Sequence, residues 1–319
     1  MRFFDAAATR HGLPFERLIP ALRERFAQGC EVPLRHSHLI AGASDGALTS
    51  LIMPAWVPGR YYGVKTVNIA TGNARFGLPG LHSTYLLYDA VTGVPLAWMD
   101  GDQITARRTA AASALAASWL ARADARHLLV VGAGQVARLL PEAYRTVRTI
   151  ERVTVWARDS AKASALAAEL REDGWDARGE TDLESAVGAA DIVSCATLAT
   201  APVVRGRWLR LGSHLDLIGS FTPTMREADD ACFADAALYV DTEEALAKSG
   251  DLLGPMSRGV FGAGDVIGTL AQLSLATAPG RTSASQRTVF KSVGTALEDL
   301  AAAMLVHEAT PGAVIGSKA

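Results

Sequence analysis

Two groups of residues in this chain have types and spacings that suit chemistry on a small anion. The first is Gly132-Ala-Gly-Gln-Val-Ala137, which directly follows the apolar run Leu128-Leu-Val-Val131. A Gly-x-Gly-x-x-Ala turn from a buried strand into a helix lets backbone amides approach a pyrophosphate, which then rests on the positive end of the helix. Such turns also occur in ordinary α/β domains. Here both flanks are correct, which favours a dinucleotide and, with it, hydride transfer.

The second group is cationic. Lys65 lies in Tyr61-Tyr-Gly-Val-Lys-Thr-Val-Asn-Ile69, where strand alternation gives it Gly63 and Val67 as neighbours on one face. A lysine on such a face needs an anionic partner or a shifted pKa, because an unpaired buried ammonium is costly. Arg108 stands in Ile104-Thr-Ala-Arg-Arg-Thr-Ala-Ala-Ala-Ser113, near the start of an otherwise uncharged helix, and Arg35 follows Val32-Pro-Leu34. A guanidinium fork grips a carboxylate with two bonds, and a nearby ammonium adds a point charge. Composition alone reads Arg35 as a surface ion-pair partner.

The residue after the second strand of a dinucleotide unit selects the cofactor. A carboxylate there binds the ribose hydroxyl of NAD, whereas an arginine accommodates the 2′-phosphate of NADP. The strand Val153-Thr-Val-Trp-Ala157 is followed by Arg158, with Lys162 one helical turn on. Asp159, directly after Arg158, has two readings, a cap for the next helix or a ribose ligand, and capping is favoured. NADPH is therefore expected, with NADH less favoured.

These residues need elements to hold them. The first third reads as a helix over Phe15–Gln28, then strands at Ala47–Met53, Tyr61–Ile69, Thr84–Tyr88 and Val94–Met99. Turn-prone stretches separate the strands at Pro54–Arg60, Thr71–Gly80 and Asp89–Gly93. An alanine-rich helix over Thr105–Arg122 leads to a boundary near Ala123. Beyond it, strands at Leu128–Val131, Arg152–Ala157, Asp191–Ala196 and His214–Ile218 alternate with helices from Gln135, at Ser160–Leu170 and at Asp182–Val187. That alternation predicts an α/β protein with a parallel, doubly wound Rossmann sheet. The tail, Val293–Leu305, reads as an amphipathic helix able to return to the first domain. The expected division is residues 1–122, completed by the C-terminal helix at about 294–319, and residues 123–293 for the dinucleotide.

Composition narrows the function. With 319 residues, 49% of them hydrophobic, and a net charge of -2, the chain has the makeup of a two-domain globular protein and no footprint for nucleic acid or an anionic membrane. Cys30, Cys195 and Cys232 are widely spaced, which fits reduced thiols. The start, Met1-Arg-Phe-Phe-Asp5, lacks a signal-peptide pattern, so the cytoplasm is expected. His36, His38, His82 and His214 have no metal-ligand spacing, and core hydrogen bonding accounts for His82 and His214 as well as catalysis does. Ser44-Asp45, Asp100-Gly101-Asp102 and Asp229-Asp230 read as turns or caps, and Asp265 as the cap of a following helix.

Taken together, Met53-Pro54, Gly63–Asn68, Leu81-His-Ser-Thr84, Ile104–Ser113, Val131-Gly-Ala-Gly-Gln135, Gly212-Ser-His-Leu-Asp-Leu-Ile-Gly219 and Ser292–Asp299 resemble the ornithine cyclodeaminase/mu-crystallin family, in family order and over most of the chain. The resemblance implies an N-terminal α/β substrate and dimerisation domain around a Rossmann domain, and a homodimer. It implies that Lys65, Arg108 and, on a looser alignment, Arg35 hold a substrate carboxylate, with Lys65 also the candidate catalytic group. It places Ser83, Arg108, Gly132, Gly134, Gln135, Val136, Arg158 and Thr197 around the cofactor, and Phe221 and Val293 near the nicotinamide or substrate.

Two departures matter. Cyclodeaminases carry an aspartate two residues after the glycine corresponding to Gly219, and a glutamate three residues before the Met-Pro proline. This chain has Phe221 and Leu51 there. Losing both carboxylates argues against cyclodeamination, which needs proton transfers around an amine. The chain looks instead like the ketimine reductase branch, acting with NADPH on Δ1-pyrroline-2-carboxylate or Δ1-piperideine-2-carboxylate. The alternatives on the same scaffold are an ornithine cyclodeaminase, an alanine dehydrogenase, and a non-enzymatic NADPH-dependent binding protein of the mu-crystallin kind.

Overall fold

The structure, a computed structural model, describes residues 1–41, 48–309 and 313–314. The chain divides into two compact units, Met1–Arg108 with Thr295–Ala319, and Thr109–Gly294. The expected turn at Ser44-Asp45 lies outside the described residues. Among the described residues, no helix is long and apolar enough to cross a membrane.

The first unit is built on a seven-stranded sheet. Strands β1 (Arg2–Phe4), β2 (His36–Ile40), β3 (Leu48–Val57), β4 (Tyr61–Ile69), β5 (Leu81–Asp89), β6 (Pro95–Asp100) and β15 (Ala313–Val314) lie in the order β15-β1-β6-β5-β4-β3-β2. From β2 to β6 the neighbours are antiparallel. Leu51, Val67 and Ser83 are register partners across three strands, as are Met53, Lys65 and Tyr85, so all six share one face. Lys65, Val67, Ser83 and Tyr85 are buried there. Helix α2 (Phe15–Gln28) packs against α10 (Ala296–Ala309), and α10 also lies on β3 and β4. A short α1 (Ala6–His11) precedes them, and α3 (Gly101–Leu120) follows β6.

Two expectations for this unit change. The turn predicted at Pro54–Arg60 is partly strand, since β3 runs through Pro54 to Val57. Proline is tolerated because β2 pairs with β3 only as far as Ile52, and the next contact on that side is the isolated Glu31–Trp56 bridge. An N–H at position 54 has no ladder partner to satisfy on that side. The tail helix is not amphipathic: α10 is buried on nearly every side, Glu298 and Asp299 included.

The second unit is an eight-stranded parallel sheet. Its strands are β7 (His127–Val131), β8 (Arg152–Trp156), β9 (Asp176–Gly179), β10 (Ile192–Cys195), β11 (His214–Leu217), β12 (Ala237–Val240), β13 (Val266–Thr269) and β14 (Thr288–Lys291). They lie in the order β13-β12-β14-β11-β10-β7-β8-β9. Helices α4 (Gln135–Arg145), α5 (Ser160–Glu172), α6 (Leu183–Ala189), α7 (Ala245–Lys248), α8 (Gly250–Ser257) and α9 (Leu270–Ser274) connect them. One face of the sheet is apolar, with Leu129, Val131, Val193, Cys195, Leu215 and Leu217 all buried. The other is buried as well and mixes Leu128, Val130 and Ile192 with Ser194, His214 and Asp216. That is the pattern of strands covered on two sides. Asp265 does not cap a helix: it accepts from Gly262 N at 2.7 Å within a single turn, and strand β13 comes next.

Candidate active site

Ligands of parallel sheets collect beyond the carboxyl ends of the strands. At that end of β7, Gly132 has a φ of +126°, and a Cβ there would lie 2.5 Å from the Ala196 carbonyl oxygen. Only glycine fits. Gly134 precedes α4 in an extended conformation, with open space where its Cβ would be and no side-chain cap on the helix. Gln135 is exposed, Val136 half-buried and Ala137 fully buried, which turns the helix in against the sheet. An uncapped helix N-terminus after a buried strand fits a pyrophosphate.

Past β8 the chain turns at the exposed Arg158. Asp159 is the cap expected of it, its Oδ1 accepting from Ala161 N at 3.1 Å. Beyond β10, Thr197 is half-buried and bonded to Glu227, a fully buried carboxylate. Burial pushes Glu227 up to about 7, with Asp251 adding to the rise and Lys291 opposing it. Phe221, in the loop after β11, is 41% exposed. Beyond β14, the amides of Val293 and Gly294 donate to Asp241 Oδ2 at 2.8 and 2.7 Å.

The first unit holds the cations. Lys65 Nζ lies 2.7 Å from Asp299 Oδ2 and 3.3 Å from Thr105 Oγ1, with 1% of the residue exposed. Burial pushes it down to about 8, against the pull of Asp299. Arg108 donates from Nη1 to Glu298 at 2.7 Å and from Nε to Asp299 at 2.9 Å. Its guanidinium stays charged, held up by the two carboxylates against the cost of burial. Two buried cations therefore meet two buried carboxylates. Ser83 donates to Asp102 Oδ1 at 2.6 Å, on the face that carries Lys65. Arg35 is half-buried in the segment before β2.

Glu298 and Asp299 are functional candidates that the sequence reading left without a role. The signal was present: they form an acidic pair inside Thr295-Ala-Leu-Glu-Asp-Leu-Ala-Ala-Ala303, where a helix has little polar surface to place them on. Glu227 and Asp241 carried no comparable local signal. Of the histidines, His214 is a core residue bonded to Thr288 Oγ1 at 2.9 Å, and burial holds it neutral, down to about 3. His82 is exposed on β5, so the core reading fails for it.

Residues 17–313 match the profile of the ornithine cyclodeaminase/mu-crystallin family. The chain belongs to that family. It is similar to a Δ1-pyrroline-2-carboxylate reductase of Paracoccus denitrificans, at 45% identity over 83% of this chain and 84% of the relative. Among solved structures it is similar to the Δ1-pyrroline-2-carboxylate reductase of Thermococcus litoralis in complex with NADH and L-proline. The TM-score is 0.90, with 32% identity and 97% of each chain covered. It is also similar to an archaeal alanine dehydrogenase dimer with bound NAD, with a TM-score of 0.88 and 29% identity over 97% of this chain and 95% of that one. Within the family fold, Leu51 lies two positions along β3 from Met53, the register partner of Lys65, so an apolar side chain stands on the lysine's face.

Proposed function

We propose that this chain is an NAD(P)H-dependent ketimine reductase. It reduces Δ1-pyrroline-2-carboxylate, and its six-membered homologue Δ1-piperideine-2-carboxylate, to L-proline and L-pipecolate, with NADPH preferred. The observation that carries the reading is the buried pair of Lys65 and Arg108, the lysine on a sheet face where Leu51 supplies no carboxylate. The likeness to reductases at 45% and 32% identity supports it.

Bound nicotinamide would supply the hydride for the imine carbon. Lys65, Arg108 and Arg35 hold the substrate carboxylate and so fix the ring's orientation, which is most of what the protein must contribute. Lys65, pushed down to about 8, keeps its proton at neutral pH yet releases it more readily than a solvent lysine. Ser83, Arg108, Gly132, Gly134, Gln135, Val136 and Thr197 are the proposed cofactor contacts. Arg158 reads the 2′-phosphate, Val293 lies by the nicotinamide or substrate, and Phe221 offers an apolar group in place of a base.

The test is the consumption of NADPH and of NADH with each imine. Turnover that is faster with NADPH supports both parts of the proposal. Ammonia release from ornithine, with neither imine reduced, would move the chain to the cyclodeaminases.

We place the enzyme in the cytoplasm, in line with its three free cysteines. We also propose a homodimer. The sheet face opposite Lys65 carries Phe3 stacked on Trp98 at 4.5 Å and Tyr62 stacked on Tyr88 at 5.3 Å, all partly or fully exposed. Aromatic residues on an open sheet face suit burial against a second copy. Light scattering at the mass of one chain would overturn this.

A further inference from the structure

We infer that Glu227 is a positioning residue for the nicotinamide cofactor: one buried carboxylate sets the spacing between the loop that leaves β10 and the loop that leaves β11. The inference rests on the cofactor reading above. Glu227 Oε1 accepts from Thr197 N at 2.7 Å and from Thr197 Oγ1 at 2.8 Å, and its Oε2 accepts from Gly219 N at 2.7 Å. β10 and β11 are adjacent parallel strands with Cys195 opposite Leu217, so the side chain ties together the first turns beyond two neighbouring carboxyl ends. The crossing is tight, since a Cβ on Gly219 would collide with the Thr197 carbonyl oxygen. Phe221 lies two residues further along the same loop.

The carboxylate is itself held from behind. Glu227 N and Ala228 N donate to Asp251 Oδ1 at 2.8 and 3.0 Å. Asp251 N donates to Ser220 Oγ at 3.1 Å, and Ser220 Oγ donates to Met225 O at 2.6 Å. Lys291, fully buried 3.6 Å from Asp251, supplies the compensating charge. An apolar residue at 227 would fill the volume but leave the Thr197 and Gly219 amides without acceptors. Three charge-assisted bonds to two loops are what a carboxylate adds at the cost of its desolvation.

Glu227→Gln keeps the volume but turns an NH2 group towards a donor, either Thr197 or Gly219, so one anchor is lost. NADPH binding to the purified chain, read by nicotinamide fluorescence, is expected to weaken by about tenfold or more. Asp191→Asn is the comparison. Asp191 Oδ2 also pins two amides, Arg126 N and His127 N, each at 2.9 Å, but at the amino ends of the strands. That variant is expected to lose thermal stability and keep its NADPH affinity within about twofold. An E227Q chain with wild-type affinity, or a D191N chain weakened as much, overturns the inference. A wild-type chain that binds neither NADPH nor NADH removes the cofactor reading, and the inference with it. Amide exchange on the ligand-free wild type needs no variant to fold: Thr197 and Gly219 are expected to be protected and to open together. Exchange of both at unprotected rates overturns the clamp while leaving the cofactor reading in place.

Discussion

The Lys65 ammonium and the Asp299 carboxylate meet at 2.7 Å although 234 positions separate them in the chain. The contact joins β4 to α10, so the last described helix supplies the counterion for a cation in an interior strand of the N-terminal sheet. An ammonium this deeply buried would otherwise lose its proton. Asp299 therefore sets how long Lys65 stays charged as pH rises.

A pH profile tests that control. Lys65 is protonated below about 8 and neutral above it, so kcat/KM for the imino acid is expected to fall on the alkaline side near that value. Asp299→Asn removes the main influence raising the ammonium's pKa, and the alkaline limb moves to lower pH. Comparing the two profiles with one substrate cancels the substrate's own titration. Superimposable limbs would detach Lys65 from the reaction.

Arg108 calls for a conservative variant. Removing it altogether leaves Glu298 and Asp299 buried with a single cation, which costs about 3–5 kcal/mol and confuses folding with binding. Arg108→Lys keeps the charge but loses the fork that reaches both carboxylates. The expected result is an imino-acid KM raised by about tenfold or more, a larger effect than on NADPH affinity. A wild-type KM in R108K would take the guanidinium out of the carboxylate clamp.

Arg158 is predicted to decide between the nicotinamide nucleotides. Charged hydrogen bonds are worth about 1.5–3 kcal/mol, so Arg158→Ala should raise the NADPH KM by about tenfold to a hundredfold and leave NADH where it is. The side chain is exposed, and the preference for NADPH should shrink with added salt in the wild type. Equal effects on both nucleotides in the variant would place the 2′-phosphate elsewhere.

Much of this arrangement was legible in the sequence where a local pattern carried it. Alternation placed Lys65 on a buried face of β4, and the glycines at 132 and 134 marked the strand-to-helix turn. Asp159 read correctly as a cap. What stayed hidden depends on contacts between distant segments. Pro54 read as a turn because the gap between Ile52 and the Glu31–Trp56 bridge exists only once β2 has paired. Asp299 drew no role from the sequence because its partners, Lys65 and Arg108, lie nearly two hundred residues or more upstream. Glu227 and Asp241 sit in no sequence pattern that marks them, and their roles come from amides delivered by the segments that leave β10, β11 and β14.

Asp216 offers a test of what burial costs in the second unit. Its carboxylate is fully buried and receives Tyr144 Oη at 2.9 Å, Ser113 Oγ at 3.1 Å and the Ser194 hydroxyl. Burial still raises it from 3.8 to about 6, the three hydroxyls and Lys291 only limiting the rise. Between those two values the folded chain binds a proton that the unfolded chain has released. This group's stabilising contribution is therefore complete below 3.8 and lost as pH rises through about 6. Asp216→Asn cannot ionise, so the difference in Tm between variant and wild type should move in the variant's favour across that window and level off above it. Other acids titrate in both chains and drop out of the difference. A flat difference with the variant less stable at every pH would mean that the hydroxyl bonds to the carboxylate outweigh its desolvation.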